Sequence, residues 1–191
     1  MKRIFITIVL IVLSSTGLAA QTNAGHFEIG VGYAPFFLGT VEDSYQYSYK
    51  AGGYFEWRHD LGKHLDVGAK LDYKFCPASF YDRYGGYYYK GDLHYGALLA
   101  VADFNFQPLE KASFFFGLGL GPGMILENWT SYQEVSPREG WKPEQGLGSP
   151  SFQLVVTPRV GMELFNHLRL SASVDVFVER WPVSFNIGWT F

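Results

Sequence analysis

The stretch that decides the fold is the C-terminal segment PVSFNIGWTF, residues Pro182–Phe191. Its apolar and polar residues alternate with a period of two, which predicts a β-strand with one apolar and one polar face. The apolar face comprises Val183, Phe185, Ile187, Trp189 and Phe191, and the polar face comprises Ser184, Asn186, Gly188 and Thr190.

Seven further segments are predicted to be strands, so the chain is predicted to be all-β with eight strands. Asp92–Phe106 is apolar on both faces, and the sequence does not assign its faces. The other six alternate as the last segment does. They are His26–Ala34, Tyr49–Arg58, His64–Phe75, Ala112–Leu126, Ser151–Leu164 and His167–Val178.

The connections between these segments differ in length. Short turns are predicted around residues 60–63, 107–111, 165–167 and 179–182, and longer loops over 35–48, 76–91 and 127–150. Short turns at one end and longer loops at the other are typical of outer-membrane barrels. Tight turns would place Arg58 opposite Asp66, Glu163 opposite Arg169, and Asp175 opposite Asn186, with matching faces in each hairpin.

Four features favour lipid rather than water outside the barrel. The polar faces carry charges of both signs, the apolar faces are unbroken, and each apolar stretch has about the 9–11 residues that a tilted transmembrane strand needs. Aromatic residues cluster at both ends of the strands, as in interfacial girdles. We therefore predict an antiparallel up-and-down transmembrane β-barrel with short periplasmic turns and longer extracellular loops.

With its terminal strand and alternating pattern, the chain resembles the eight-stranded OmpA/OmpX-type outer-membrane β-barrel and porin-family proteins. The resemblance covers the whole mature chain as a pattern. It implies a Gram-negative outer membrane, contact with its lipid, and assembly by the barrel-assembly machinery. The residues that match the family's terminal assembly signal are Phe185, Ile187, Trp189 and Phe191.

The N-terminus is predicted to be a signal peptide over residues 1–20, followed by one barrel domain over 21–191. Lys2 and Arg3 precede a short apolar run that ends in small residues, as in secretory signals. Without Lys2 and Arg3, the remaining 13 basic and 18 acidic residues give a net charge of −5. An acidic chain of this kind argues against nucleic-acid binding. Cys76 has no second cysteine for an internal disulfide, and we assign it no role.

The polar faces provide a predicted charge network inside the barrel. Eight strands leave a lumen just wide enough for side chains to fill. The network is either a static set of ion pairs or a gate for water and small ions, with Arg58–Asp66 and Glu163–Arg169 as candidate pairs. Its predicted members are Glu56, Arg58, Asp66, Lys70, Asp72, Arg159, Glu163, Arg169 and Asp175.

The predicted extracellular loops are rich in tyrosine and tryptophan. These residues dominate binding hot spots, so the loops are a candidate surface for an extracellular protein or glycan ligand; anchoring in lipid headgroups is the alternative. The candidate residues are Tyr45, Tyr47, Tyr84, Tyr87, Tyr88, Trp129, Tyr132 and Trp141.

Catalysis is weakly indicated. A lipid A-modifying barrel would need a Ser/His/acid set, but His167 and Ser171, four residues apart on one strand, are too far apart for contact. No spacing predicts a metal site or cofactor. The sequence therefore predicts a non-enzymatic barrel with a side-chain-filled polar lumen and a structural or surface-interaction (adhesion or ligand-binding) role. A narrow gated channel is the alternative, and a lipid A-modifying enzyme the less favoured one.

Overall fold

The computed structural model describes residues 25–38, 46–47, 51–82, 87–109, 111–136, 140–147, 150–176 and 181–191. The predicted signal peptide lies outside these residues. The described residues form ten strands: β1 (His26–Leu38), β2 (Gln46–Tyr47), β3 (Ala51–Asp60), β4 (Leu65–Asp82), β5 (Tyr87–Leu109), β6 (Ala112–Ser136), β7 (Gly140–Leu147), β8 (Ser151–Leu164), β9 (Leu168–Val174) and β10 (Trp181–Thr190).

Eight of these strands close into a barrel. Antiparallel pairing runs β1–β3–β4–β5–β6–β8–β9–β10, and β10 pairs back with β1. Closure continues to the last residue, since the Phe191 amide donates to the Phe27 carbonyl at 2.8 Å. Among the described residues, no helix is long and apolar enough to cross a membrane. The predicted fold class is confirmed, and β2 and β7 are additions to it.

The β8–β9 hairpin has the predicted register. Glu163 lies opposite Arg169, and Phe165 and Asn166 both adopt positive φ angles of 56° and 61°. Asn tolerates this left-handed conformation, whereas Phe does so at a steric cost. The turn closes with a bond from the His167 amide to the Leu164 carbonyl.

The two other predicted registers were wrong by even numbers of residues. Arg58 lies opposite Gly68 rather than Asp66, because Asp60 pairs with Asp66 across a longer turn in which Gly62 has φ 139°. In the β9–β10 pair, Asn186 lies opposite Ser171 rather than Asp175. An even shift leaves every side chain on its predicted face, so the pattern of faces survived both errors.

The exterior of the barrel is a broad apolar surface. Large hydrophobic side chains on every barrel strand except β9 are 36% to 74% exposed, the extreme being Phe152. Exposure on this scale is characteristic of a lipid-facing surface and not of a water-soluble one. The predicted aromatic girdle on the turn side is present, with exposed Trp57, Phe104, Phe106, Phe114, Phe165, Trp189 and Phe191.

β5 shows which of its two apolar faces points inward. Leu93, Tyr95 and Leu99 are at most 1% exposed, whereas Leu98 on the other face is 55% exposed. The charges on this strand could not have decided the matter, since Asp92 and Asp103 lie on opposite faces. Asp103 points into the barrel, and Asp92 lies on the outer face nearer the loop side.

On the loop side, strands continue where loops were predicted. β4, β5 and β6 run beyond the predicted strand ends, and β7 pairs with β6 and β2 with β4. Together they form an extension of five strands in the order β2–β4–β5–β6–β7, which we call the loop-side sheet. The prediction of loops over 76–91 and 127–150 was therefore largely wrong. Tyrosine and tryptophan favour strands, and continued pairing satisfies their backbone groups.

Two facing glycines make room for a large side chain inside the barrel. Gly30 of β1 pairs with Tyr54 of β3 on one side and with Gly188 of β10 on the other. A Cβ atom at either glycine would collide with the Tyr54 ring or hydroxyl. The Tyr54 hydroxyl, lying over this gap, donates to Glu28. The glycines are thus required for close approach, as is common where an aromatic ring covers a strand.

Candidate functional site

The interior of the barrel contains a closed ring of side chains in which positive and negative charges alternate. Three arginines and three carboxylates from β1, β3, β5, β8 and β9 meet inside the turn-side half of the barrel. Each arginine contacts two of the acids, and each acid contacts two of the arginines. We call this set the arginine–carboxylate ring: Arg58, Glu28, Arg169, Asp103, Arg159 and Glu56.

Arg159 makes the strongest contacts in the ring. Its guanidinium donates two bonds to Glu56, at 2.6 and 2.8 Å, and two to Asp103, both at 2.7 Å. Bidentate pairing of this kind suits the planar guanidinium and is stronger than a single contact. The side chains of Arg159, Glu56 and Asp103 are at most 5% exposed, so these opposite charges are paired with one another away from bulk water.

Arg58 and Arg169 complete the ring with longer contacts. Arg58 lies 3.1 Å from Glu28 and 3.4 Å from Glu56. Arg169 lies 3.6 Å from Glu28 and also bonds Asp103, and its guanidinium sits over the Phe115 ring at 3.5 Å. Six side chains from five strands therefore cross-link the wall of the barrel.

A second set of buried charges lies toward the loop side. Lys74 bonds Asp175 and lies 3.2 Å from Asp72, and Lys70 lies 3.4 Å from the same Asp72. Thr157 donates to Asp175 at 2.9 Å. We call Lys70, Asp72, Lys74 and Asp175 the lysine–aspartate chain. Both sets contain equal numbers of acids and bases, as buried charges require.

The loop-side half of the interior also contains an apolar cluster beside the lysine–aspartate chain, which corrects the expectation of a wholly polar lumen. The buried side chains of this cluster are contributed mainly by the inward face of β5. β5 is apolar on both faces, so its alternation could not reveal this cluster. Its members are Ala34, Cys76, Leu93, Tyr95, Ala97, Leu99, Val101, Ile125 and Val155.

A polar cavity opens beneath the ring at the turn-side mouth of the barrel. It has a volume of about 340 Å³ and is lined in part by Arg58, Asp66, Asn105 and Glu163. Asn105 donates to Asp66 at 2.6 Å, and Arg58 lies 3.5 Å from Glu163. The cavity therefore reaches as far as the ring, where the packed charges begin.

The structure brings the predicted network residues into distinct groups. Glu56, Arg58, Arg159 and Arg169 join the ring, whereas Lys70, Asp72 and Asp175 join the lysine–aspartate chain. Asp66 and Glu163 line the cavity. The two candidate gate pairs are long, at 3.6 Å for Arg58–Asp66 and 3.7 Å for Glu163–Arg169.

Three buried charges were missing from the predicted network. Glu28 and Lys74 lie on β1 and β4, two strands whose polar and apolar residues alternate regularly. Their positions in this alternation place both of them on the inward-facing side. Asp103 bridges Arg159 and Arg169, but the ambiguous faces of β5 concealed it. Only the pairing of β5 with β4 and β6 decides that Asp103 points inward.

The predicted surface aromatics lie mostly on strands. Tyr45 and Tyr84 fall outside the described residues. Tyr47 is in β2, Tyr87 and Tyr88 in β5, Trp129 and Tyr132 in β6, and Trp141 in β7. The terminal residues Phe185, Ile187, Trp189 and Phe191 are 42% to 50% exposed on the barrel exterior.

Histidine contacts bear on the enzyme alternative. Within the described residues, histidine side chains bond Asp60, Tyr73 and the carbonyls of Asn105 and Thr190, but no serine. The same residues contain no group of three His, Cys, Asp or Glu side chains placed to hold a metal ion.

Comparison with known proteins finds solved structures with a similar fold but no relative by sequence. No family model matches the chain, and no curated protein matches it. Ail from Yersinia pestis is similar at 18% identity, over 88% of this chain and 99% of that one, with a TM-score of 0.47. The N-terminal barrel domain of Pseudomonas aeruginosa OprF is similar at 15% identity, over 88% and 98%, with a TM-score of 0.41.

The classification of the chain as an outer-membrane barrel rests on its own geometry. A closed antiparallel barrel of eight strands, with charges inside and an apolar exterior, is the architecture of a bacterial outer-membrane protein.

Proposed function

We propose that this chain is a non-enzymatic outer-membrane barrel that holds the loop-side sheet at the cell surface for adhesion or ligand binding. The observation that best supports this proposal is that β4, β5, β6 and β7 continue as a paired sheet well beyond the band of exposed apolar side chains on the barrel. His94 lies ten residues along β5 from Phe104 of the turn-side girdle, and β5 extends seven residues beyond His94, or roughly 20 Å.

The register of this sheet groups its aromatic residues. Tyr81, Tyr88 and Tyr132 stand directly opposite one another on β4, β5 and β6. Residues paired across antiparallel strands share a face of the sheet. A row of three tyrosines on a paired scaffold supports recognition of a protein or glycan, because tyrosine supplies contact area at low entropic cost.

The packed interior supports a scaffold. The ring and the apolar cluster tie neighbouring and opposite strands together, which stiffens the base of the sheet.

Adhesion by bacteria tests the proposal. A non-adherent strain that displays the chain is expected to bind cultured epithelial cells, and the variant with Tyr81, Tyr88 and Tyr132 changed to serine to lose on the order of tenfold in adherence. Phe165→Ser, at the opposite end, is the matched control and should adhere like the wild type. Heat-modifiable gel migration verifies folding of each. Wild-type adherence no greater than that of the empty strain would refute the proposal.

A narrow channel is the second candidate, favoured by the cavity beneath the ring. Ions that enter this cavity meet packed charges, so the wild type should show little conductance in planar bilayers. Arg159→Ala and Glu163→Ala remove side chains from the ring and the cavity, and a gate predicts that conductance appears in at least the first. Silent bilayers for the wild type and both variants would remove this candidate. Lys111→Ala, at an exposed turn residue outside the cavity lining, serves as the control for a change in surface charge.

A further inference from the structure

A groove on the lipid-facing surface lies at Gly96. This residue is on the outer face of β5, directly opposite Tyr73 of β4 and Met124 of β6. A Cβ atom at Gly96 would meet no atom within 4 Å, so the glycine leaves open space between its neighbours. Tyr73 and Met124, 48% and 40% exposed, form the two walls of the groove.

The upper end of the groove is polar. His94 lies two residues from Gly96 on the same face, and its Nδ1 is 2.8 Å from the Tyr73 hydroxyl. Either tyrosine donates to the imidazole, leaving the Nε2 hydrogen, or the imidazole donates, leaving the phenol hydrogen. In both cases one donor hydrogen has no acceptor among the described residues. A donor on an apolar exterior calls for an acceptor from the surroundings.

The depth of this pair matches the lipid headgroup boundary. Phe104 belongs to the turn-side girdle and lies ten residues from His94 along β5. A tilted strand of ten residues rises about 25 Å, which is the height of the apolar band of such barrels. His94 therefore lies where acyl chains end and phosphate groups begin.

Charges near the pair are balanced. Lys90 is exposed on the same face of β5, and half-buried Asp92 lies between Lys90 and His94. Below the groove, Leu71 and Leu98 are 57% and 55% exposed and continue the apolar path. Recognition therefore depends on hydrogen-bond donors above an apolar groove and not on net charge.

We propose that the Gly96 groove binds one phosphorylated lipid of the outer leaflet. An acyl chain lies in the groove between Tyr73 and Met124, and a phosphate oxygen accepts the remaining hydrogen of the Tyr73–His94 pair. This site is independent of the tyrosine row and of the interior charges.

Native mass spectrometry of the folded barrel in a neutral detergent tests the proposal. The probes are dipalmitoylphosphatidylglycerol and dipalmitoylglycerol, which share acyl chains and differ in the phosphate. We expect one bound copy of the phosphorylated lipid, preferred about tenfold over the neutral one, the value of one hydrogen bond to a charged group.

Two variants divide the site. The double variant Tyr73→Phe/His94→Phe should bind both lipids equally, because the pair loses both of its hydrogen-bonding groups while the groove stays open. Gly96→Leu should lose both lipids, because its side chain fills the groove. His64→Phe, on the turn side of the barrel, is the matched control and should keep the wild-type preference.

Several outcomes would overturn the proposal. These are equal binding of the two lipids by the wild type, no bound lipid at all, an unchanged phosphate preference in Tyr73→Phe/His94→Phe, or unchanged lipid binding by Gly96→Leu. Heat-modifiable migration confirms that each variant is folded, and the substituted positions lie on the outer faces of β4 and β5.

Discussion

Replacing Arg159 with methionine is expected to cost about 3–5 kcal/mol of the free energy of unfolding. The substitution removes four hydrogen bonds and leaves Glu56 and Asp103 buried with fewer cationic partners. An uncompensated buried carboxylate, more than the lost contacts themselves, accounts for a penalty of this size. Urea titration of the barrel in lipid vesicles, followed by heat-modifiable gel migration, measures the loss.

A second substitution separates charge imbalance from packing. Changing both Arg159 and Glu56 to methionine leaves Arg58 and Arg169 against Glu28 and Asp103, so the ring is again balanced. The double variant is therefore expected to be more stable than Arg159→Met alone. Lys63→Met, an exposed turn cation, should change stability by at most about 0.5 kcal/mol. A loss below about 1 kcal/mol for Arg159→Met would show that the ring contributes little.

Gly30→Val is expected to lower the free energy of unfolding of the barrel by about 3 kcal/mol, the second large effect after that of Arg159→Met. The new side chain collides with the Tyr54 ring, and overpacking of this kind costs about 1–3 kcal/mol. Displacing the ring also breaks the Tyr54–Glu28 hydrogen bond, which adds about 1.5–3 kcal/mol for a bond to a charged group. The same urea titration applies.

The matched control for this prediction is Gly96→Ala, which places a methyl group in open space on the exterior. It should change stability by at most about 0.5 kcal/mol. In a Tyr54→Leu background, the added cost of Gly30→Val should fall by at least about 1 kcal/mol, since the colliding ring is gone. Equal costs in both backgrounds would contradict the packing explanation.

The face of each regular strand could be predicted from alternation, and the arrangement survived two register errors. Arg58 was expected opposite Asp66 and lies opposite Gly68, yet it still points inward. Alternation is a local property with a period of two, so it determines faces. Register depends on pairing along the whole length of two strands, and turn residues alone could not predict it.

The loop-side sheet was the largest failure of prediction. Pro77 interrupts the alternating pattern of β4, and the tyrosine-rich segments after it are polar enough to suggest loops. Their strands form because each pairs with a neighbour, as Tyr88 does with Tyr81 and Tyr132. Such pairing joins residues far apart in sequence, so no local pattern reveals it.

For this protein, the sequence by itself determined the eight strands of the barrel, its closure by β10, and the separation of charges from the apolar exterior. These properties follow from alternating side chains and from the need to satisfy every backbone group in lipid. Only the tertiary structure decided that Asp103 joins two arginines, that β5 supplies an apolar core, and that Gly96 opens a groove beside His94. Each of these depends on which residues face one another across different strands, and that is set by closure of the barrel as a whole.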